Sequence, residues 1–157
     1  MTVVLARIDD RLIHGQVTEG WGRFLRPDKI LVVSDTVASS EWESDLCLCV
    51  IPDDMEGEVV DIKKAARRIN ELIEDDRKAY VLFESPENAY KVVHDGAKLL
   101  KINVGGLHSS HGKREIIDYI FVDDTDSFYL KALKDMGVEL EFKDLPQHAN
   151  VDVMARL

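Results

Sequence analysis

The run Glu58-Val59-Val60-Asp61-Ile62-Lys63-Lys64-Ala65-Ala66-Arg67-Arg68-Ile69-Asn70-Glu71-Leu72-Ile73, followed after a charged turn by Ala79-Tyr80-Val81-Leu82-Phe83, decides the fold class. Ile62, Ala65, Ala66, Ile69, Leu72 and Ile73 fall at i, i+3, i+4, i+7, i+10 and i+11, the apolar stripe of an amphipathic helix. The short apolar runs on either side, residues 58–60 and Ala79–Phe83, read as strands. A strand, a helix and a strand in that order form a crossover unit whose strands run parallel.

The same alternation continues in both directions. Further strands are predicted at residues 3–8, 30–34, 101–104, 120–122 and 138–142. A helix over 15–25 is weakened by Gly20 and Gly22, each costing about 1 kcal/mol against alanine, and another spans 37–50. Ser85-Pro86-Glu87 supplies an N-cap, a proline at the first helical position and an early acid for a helix reaching His94, with Gly96 just beyond. Asp124 or Thr125 caps a helix through Met136, stopped by Gly137. Residues 145–150 read as a turn before a last short helix. The order predicts a single α/β domain over 1–157, an open and mainly parallel sheet of about seven strands with helices on both faces.

Composition bounds the function. With 157 residues, 45% hydrophobic and 32% charged, the chain fits a soluble globular domain that buries roughly 70% of its unfolded surface. No apolar run approaches the roughly 18 residues of a membrane span, and the N-terminus lacks the basic region of a signal peptide, so a cytoplasmic location is expected. A net charge of −10 argues against nucleic acid and anionic membrane as general partners. It leaves room for a local anion site, which depends on a few arginines and backbone amides. Cys47 and Cys49 are too few and too close for a disulfide framework and read as buried free thiols in a reducing compartment. Trp21 and Trp42 fall on predicted helical faces and read as core.

In open parallel sheets, ligands bind beyond the carboxyl ends of the strands. Three loops stand there: Asp9-Asp10-Arg11-Leu12-Ile13-His14-Gly15-Gln16, Glu84-Ser85-Pro86, and Gly105-Gly106 running into His108-Ser109-Ser110-His111-Gly112-Lys113. In the first, a largely neutral histidine offers a ring lone pair to act as nucleophile, base or metal ligand. Arg11 can hold two phosphate oxygens through charge-assisted bonds worth about 1.5–3 kcal/mol each. Gly15 lets backbone approach a ligand, and a helix starting there aims N–H groups at an anion. The competing reading is a surface loop whose Asp–Arg pairs only fix its shape. In the third loop, His108 and His111 have no acidic or cysteine ligand beside them and read as solvated rather than metal-binding. Gly105-Gly106 either cradles phosphate or makes a turn. No GxGxxG follows the first strand and no GxxxxGK is present, so nucleotide binding by those routes is disfavoured; no cofactor or metal is expected. His94 and His148 show no partner in sequence.

The stretch Arg7-Ile8-Asp9-Asp10-Arg11-Leu12-Ile13-His14-Gly15-Gln16-Val17 resembles the opening of IIB proteins of the mannose/fructose/sorbose family in the bacterial phosphoenolpyruvate-dependent sugar phosphotransferase system. The likeness continues through Val32-Val33-Ser34-Asp35, Val81-Leu82-Phe83-Glu84-Ser85-Pro86, Asn103-Val104-Gly105-Gly106, Phe121-Val122-Asp123 and Gly137-Val138-Glu139-Leu140-Glu141, covering nearly the whole chain. It implies that His14 takes a phosphoryl group on Nδ1 from a phosphohistidine of a separate IIA protein. His14 then passes it to a sugar bound by the membrane components IIC and IID. This is a phosphotransferase role, with membrane association only through partners. The resemblance also implies one antiparallel strand in the sheet, for which residues 138–142 are the candidate. Arg11 matches the arginine that neutralises phosphate charge. Asp10, Gly15, Gln16, Ser85, Gly105 and Gly106 are supporting candidates, and either Asp9 or Asp10 positions Arg11, fixes the His14 tautomer or braces the loop. Leu107–Lys113, Pro52-Asp53-Asp54-Met55 and the tail after Lys143 depart from the family's usual wording, which bears on partner contacts and sugar rather than on chemistry.

Other readings compete. An orphan regulatory IIB would take phosphate with no sugar to feed. A receiver-like signalling domain would be phosphorylated on aspartate, with Asp9-Asp10 as its acidic pair and Asp61 as a poor acceptor. A metal-dependent hydrolase would use His14, His108 and His111.

Overall fold

Residues 2–157 are described in a computed structural model. Eight strands form: β1 (Val3–Asp9), β2 (Lys29–Val33), β3 (Glu56–Val60), β4 (Ala79–Phe83), β5 (Lys101–Gly106), β6 (Arg114–Ile117), β7 (Ile120–Val122) and β8 (Glu139–Phe142). Six make one sheet in the order β3-β2-β4-β1-β5-β8, and every neighbouring pair in it is parallel. The fold class is the expected one, with two corrections. Residues 120–122 do not join the sheet but pair antiparallel with β6 in a separate hairpin. The edge strand β8, expected to be antiparallel, lies parallel to β5. A helix between the hairpin and β8 carries the chain back to its starting end, so β8 enters in the same direction as β5.

The helices are α1 (Gly22–Leu25), α2 (Asp35–Ala38), α3 (Glu41–Leu48), α4 (Ile62–Glu74), α5 (Pro86–His94) and α6 (Asp124–Asp135). A π-helical segment, Gln16–Trp21, precedes α1 and supplies most of the expected 15–25 helix. The helix expected over 37–50 is two, because Ser34 and Ser40 each turn an extended backbone and accept an N–H three residues on. α6 is capped by Asp123 in a reciprocal box with Asp126, not by Asp124 or Thr125. Gly96 and Gly137, just beyond α5 and α6, adopt φ of 103° and 87°, which side chains rarely tolerate.

Alternate residues of the strands feed two cores. Ala79, Val81 and Phe83 of β4 pack with Ala65, Ile69, Val92 and Leu130 of α4–α6. Tyr80 and Leu82 face the other way, with Val17, Trp21 and Leu12. Trp21 is core, as expected, but Trp42 is 71% exposed. Cys47 is only partly buried and Cys49 is exposed, so the thiols are free but not both buried. The tail ends in a short 3-10 turn, Met154–Arg156.

Candidate functional site

Because the strands are parallel, their carboxyl ends share one rim, and the loop after β1 leaves from its middle. The Leu12 N–H bonds the Asp9 carbonyl at 2.9 Å, closing a turn in which Leu12 has φ of 55°. That conformation is rare for a bulky residue, and the buried Leu12 side chain holds it in place. The next anchor is the His14 carbonyl, which accepts the N–H groups of Val17 and Thr18 at 3.0 Å each and the Thr18 hydroxyl at 3.2 Å. With its backbone pinned on both sides, the His14 ring folds back so that Nε2 lies 2.7 Å from Asp9 Oδ2. The ring is 15% exposed and the carboxylate fully buried.

Arg7 stands behind Asp9. Residues two apart on a strand point to the same side, so a strand that carries Arg7 and Asp9 brings them together. Arg7 Nε and Nη2 donate to Asp9 Oδ2 at 3.1 and 2.9 Å. Arg7 Nη1 donates to Asn103 Oδ1 at 2.7 Å and to the Asp144 carbonyl at 3.0 Å. Register places Arg7 opposite Asn103. Burial opposes ionisation of Asp9, but the His14 hydrogen bond and the Arg7 charge outweigh it, holding the carboxyl below its ordinary range. Burial likewise pulls the Arg7 guanidinium down while Asp9 pushes it up; arginine stays charged regardless.

An ionised carboxylate only accepts hydrogen bonds, so it selects the tautomer in which His14 Nε2 carries the proton. Nδ1 then keeps the lone pair. The relay Arg7–Asp9–His14 therefore presents one defined nucleophilic nitrogen on a partly exposed ring.

The other expected residues take distinct places. Arg11 is half-exposed; its Nη2 donates to Gln16 Oε1 at 3.3 Å and its Nε lies 3.9 Å from Asp9 Oδ1. Asp10 does not face His14. Its carboxylate accepts the His108 backbone N–H at 2.7 Å and meets His108 Nδ1 at 2.5 Å, tying the third loop to the first. Asp9 is thus the residue that orients the histidine. Ser85 lies on the same rim after β4, with its hydroxyl accepting the Asn88 N–H at 3.1 Å as a helix cap. Gly15 has ordinary helical angles and open space around it, so no local constraint demands glycine.

Gly105 and Gly106 lie in β5 rather than in a turn. A side chain at Gly105 would overlap the Arg7 guanidinium, and one at Gly106 would come within 3.0 Å of the Asp9 carboxylate. Their smallness makes room for the buried pair. Among the described residues no three His, Cys, Asp or Glu side chains are grouped to hold a metal. His148 meets Asp144 at 2.6 Å, and His94 lies 3.6 Å from Asp95, so both have partners that sequence did not reveal. Asp61, the aspartate weighed as a phosphoryl acceptor, caps α4.

Sequence reasoning missed Arg7, Asn103 and the Asp144 carbonyl. The available signal was an arginine inside an otherwise apolar strand with an acid two residues on. Asn103 and the Asp144 carbonyl sit 96 and 137 residues away from Arg7, and nothing local marks them.

Comparison with known proteins places the chain in a family. The family model for the PTS system sorbose subfamily IIB component matches residues 3–157. The chain belongs to that family. The fructose-specific EIIB component of Bacillus subtilis is 35% identical over 152 residues, covering 97% of this chain and 93% of the relative. The mannose-specific EIIAB component of Escherichia coli K12 is 34% identical over 154 residues, 98% of this chain and 48% of the longer relative. The crystal structure of the IIBSor domain of the sorbose permease from Klebsiella pneumoniae superposes with a TM-score of 0.89 at 29% identity, covering 99% and 96% of the two chains. Membership in this phosphotransferase-system family speaks against the receiver-like reading, and Asp9 of the supposed acidic pair is engaged by Arg7 and His14. Among the described residues, no helix of this IIB component is long and apolar enough to cross a membrane.

Proposed function

We propose that this IIB component is a cytoplasmic phosphocarrier in which His14 Nδ1 accepts a phosphoryl group from a phosphohistidine on a IIA protein. His14 then delivers it to a sugar held by the membrane components IIC and IID. The observation that carries the reading is the 2.7 Å contact between Asp9 Oδ2 and His14 Nε2. In the first step the Nδ1 lone pair forms a P–N bond as the donor's P–N bond breaks, and the donor imidazole leaves with that electron pair. Positive charge growing on the His14 ring faces the Asp9 carboxylate, and the phosphoryl oxygens meet Arg11. In the second step a sugar hydroxyl oxygen forms the P–O bond and its proton goes to a base of the acceptor. His14 recovers its lone pair. A phosphate carried between two proteins needs a nucleophile at an exposed rim, which is where this loop stands.

The test is labelling with phosphoenolpyruvate, the general phosphotransferase proteins and a mannose-class IIA. One phosphoryl group per chain is expected, acid-labile and alkali-stable, with a phosphorus–nitrogen NMR coupling to Nδ1. His14→Ala should take none; unchanged labelling of that variant overturns the reading. Arg11→Ala should fold normally and transfer more slowly in both directions.

A further inference from the structure

We infer that the outer face of α3 is the surface by which this chain docks on a lysine- and arginine-rich cytoplasmic face of its membrane partner. Surface helices ordinarily turn their apolar residues inward. α3 does the reverse. Trp42 and Leu46, at i and i+4, are 71 and 53% exposed, and Val50 in the turn just beyond the helix is 55% exposed, while the inward contact is made by Cys47 and by Leu48, which packs over Gly57 of β3. Glu41 and Asp45 are exposed along one flank of this stripe and Glu43 lies on the other.

Charge selects the occupant. Nine acids and no lysine or arginine lie between Ile30 and Ile62, although the whole chain has a net charge of only −10. Glu56, Glu58 and Asp61 are met by Arg77, Arg68 and Lys64, but among the described residues Glu41, Glu43 and Asp45 have no cationic partner. An apolar stripe rimmed by unmatched acids fits a cationic surface and repels anionic lipid. It also disfavours a second copy, because a twofold contact would set the acids against themselves. The cytoplasmic loops of membrane proteins carry an excess of lysine and arginine. The inference rests on the phosphocarrier reading, in which a membrane component receives the phosphoryl group.

Position agrees as well. α2 and α3 follow the carboxyl end of β2, on the rim that holds His14. Two strand spacings separate β2 from β1, about 10 Å. One interface of ordinary size, about 800 Å² on each side, spans that distance.

The experiment separates the two half-reactions. Full-length chain, wild type or carrying Trp42→Ser with Leu46→Ser, or Glu41→Lys with Asp45→Lys, is loaded by phospho-IIA. It is then discharged into proteoliposomes of zwitterionic lipid holding a IIC–IID pair from a mannose-type system. Both variants should melt like wild type and load with unchanged kinetics, but show a KM in discharge raised about tenfold or more with kcat retained. Wild-type discharge should also weaken with salt. Unchanged discharge overturns the inference. So does a rise in loading KM instead, which assigns the face to IIA, a wild-type dimer abolished by the variants, or equal binding to protein-free anionic vesicles. A wild-type chain that loads on His14 but passes nothing to the proteoliposomes defeats this inference and the delivery step of the phosphocarrier reading, whereas wild-type discharge that the variants leave unchanged defeats this inference alone. A chain that never labels on His14 defeats the phosphocarrier reading and the inference together.

Discussion

Asp9 and Asp10 are neighbours in sequence, and each holds a histidine at short range, Asp9 to His14 at 2.7 Å and Asp10 to His108 at 2.5 Å. The contacts look alike and their surroundings do not. Asp9 is fully buried, braced by two bonds from Arg7, and faces a ring that is 15% exposed. Asp10 and His108 are 31 and 44% exposed, and the aspartate's other partner is a backbone amide. Burial lowers the effective dielectric and fixes geometry, so the first pair can dictate a tautomer; water screens the second, which joins two loops. The lesson is that an Asp–His distance by itself does not define a role. What stands behind the aspartate does.

The largest expected effect that tests this contrast is on stability. Arg7→Leu leaves the Asp9 charge buried without its partner and should cost about 3–5 kcal/mol in urea denaturation. A cost no greater than that of Asp10→Asn would show the two aspartates to be equivalent. Next comes rate. Asp9→Asn lets His14 adopt the other tautomer and should slow phosphoryl loading about 100-fold or more, as loss of an orienting carboxylate does elsewhere. His108→Ala should leave loading within about threefold, since an exposed pair contributes little. If both variants slow loading equally, the relay does not carry the chemistry.

A third test probes the room made for the buried pair. Gly105→Ala forces a methyl onto Arg7 and should cost about 1–3 kcal/mol, whereas Gly15→Ala, in open space with helical angles, should be neutral or stabilising by about 0.4–1 kcal/mol. Equal melting midpoints would remove the steric account. The smallest effect concerns pH. Asp9 has a lowered pKa in the folded chain, so its ionic contribution is complete above the unfolded value of about 3.9 and is lost as pH falls through the folded value. Stability measured below about pH 4 should therefore fall more steeply in wild type than in Asp9→Asn. Parallel curves would mean that Asp9 is not the group protonated there.

Periodicity made much of this legible. The stripe from Ile62 to Ile73 and the apolar run Ala79–Phe83 gave a crossover unit that the structure contains as α4 and β4. The Ser85-Pro86 cap needed only local chemistry, and it is present as read. The break between α2 and α3 was also local, but one apolar run masked two capping serines. The errors at Trp42 and Cys49 have a different origin. A helix pattern says that one side is apolar without saying that this side is covered, and α3 leaves it bare.

What the sequence alone determined is the α/β class, most of the parallel strands with the helices between them, and the loop that carries His14, because these follow from spacing and from side-chain chemistry within a few residues. Only the tertiary structure decided which aspartate meets His14, why two glycines end β5, and that Asn103 and the tail carbonyl of Asp144 hold Arg7. Those partners come from separate strands and from the chain's far end. Their meeting depends on strand order and register, which no local spacing encodes.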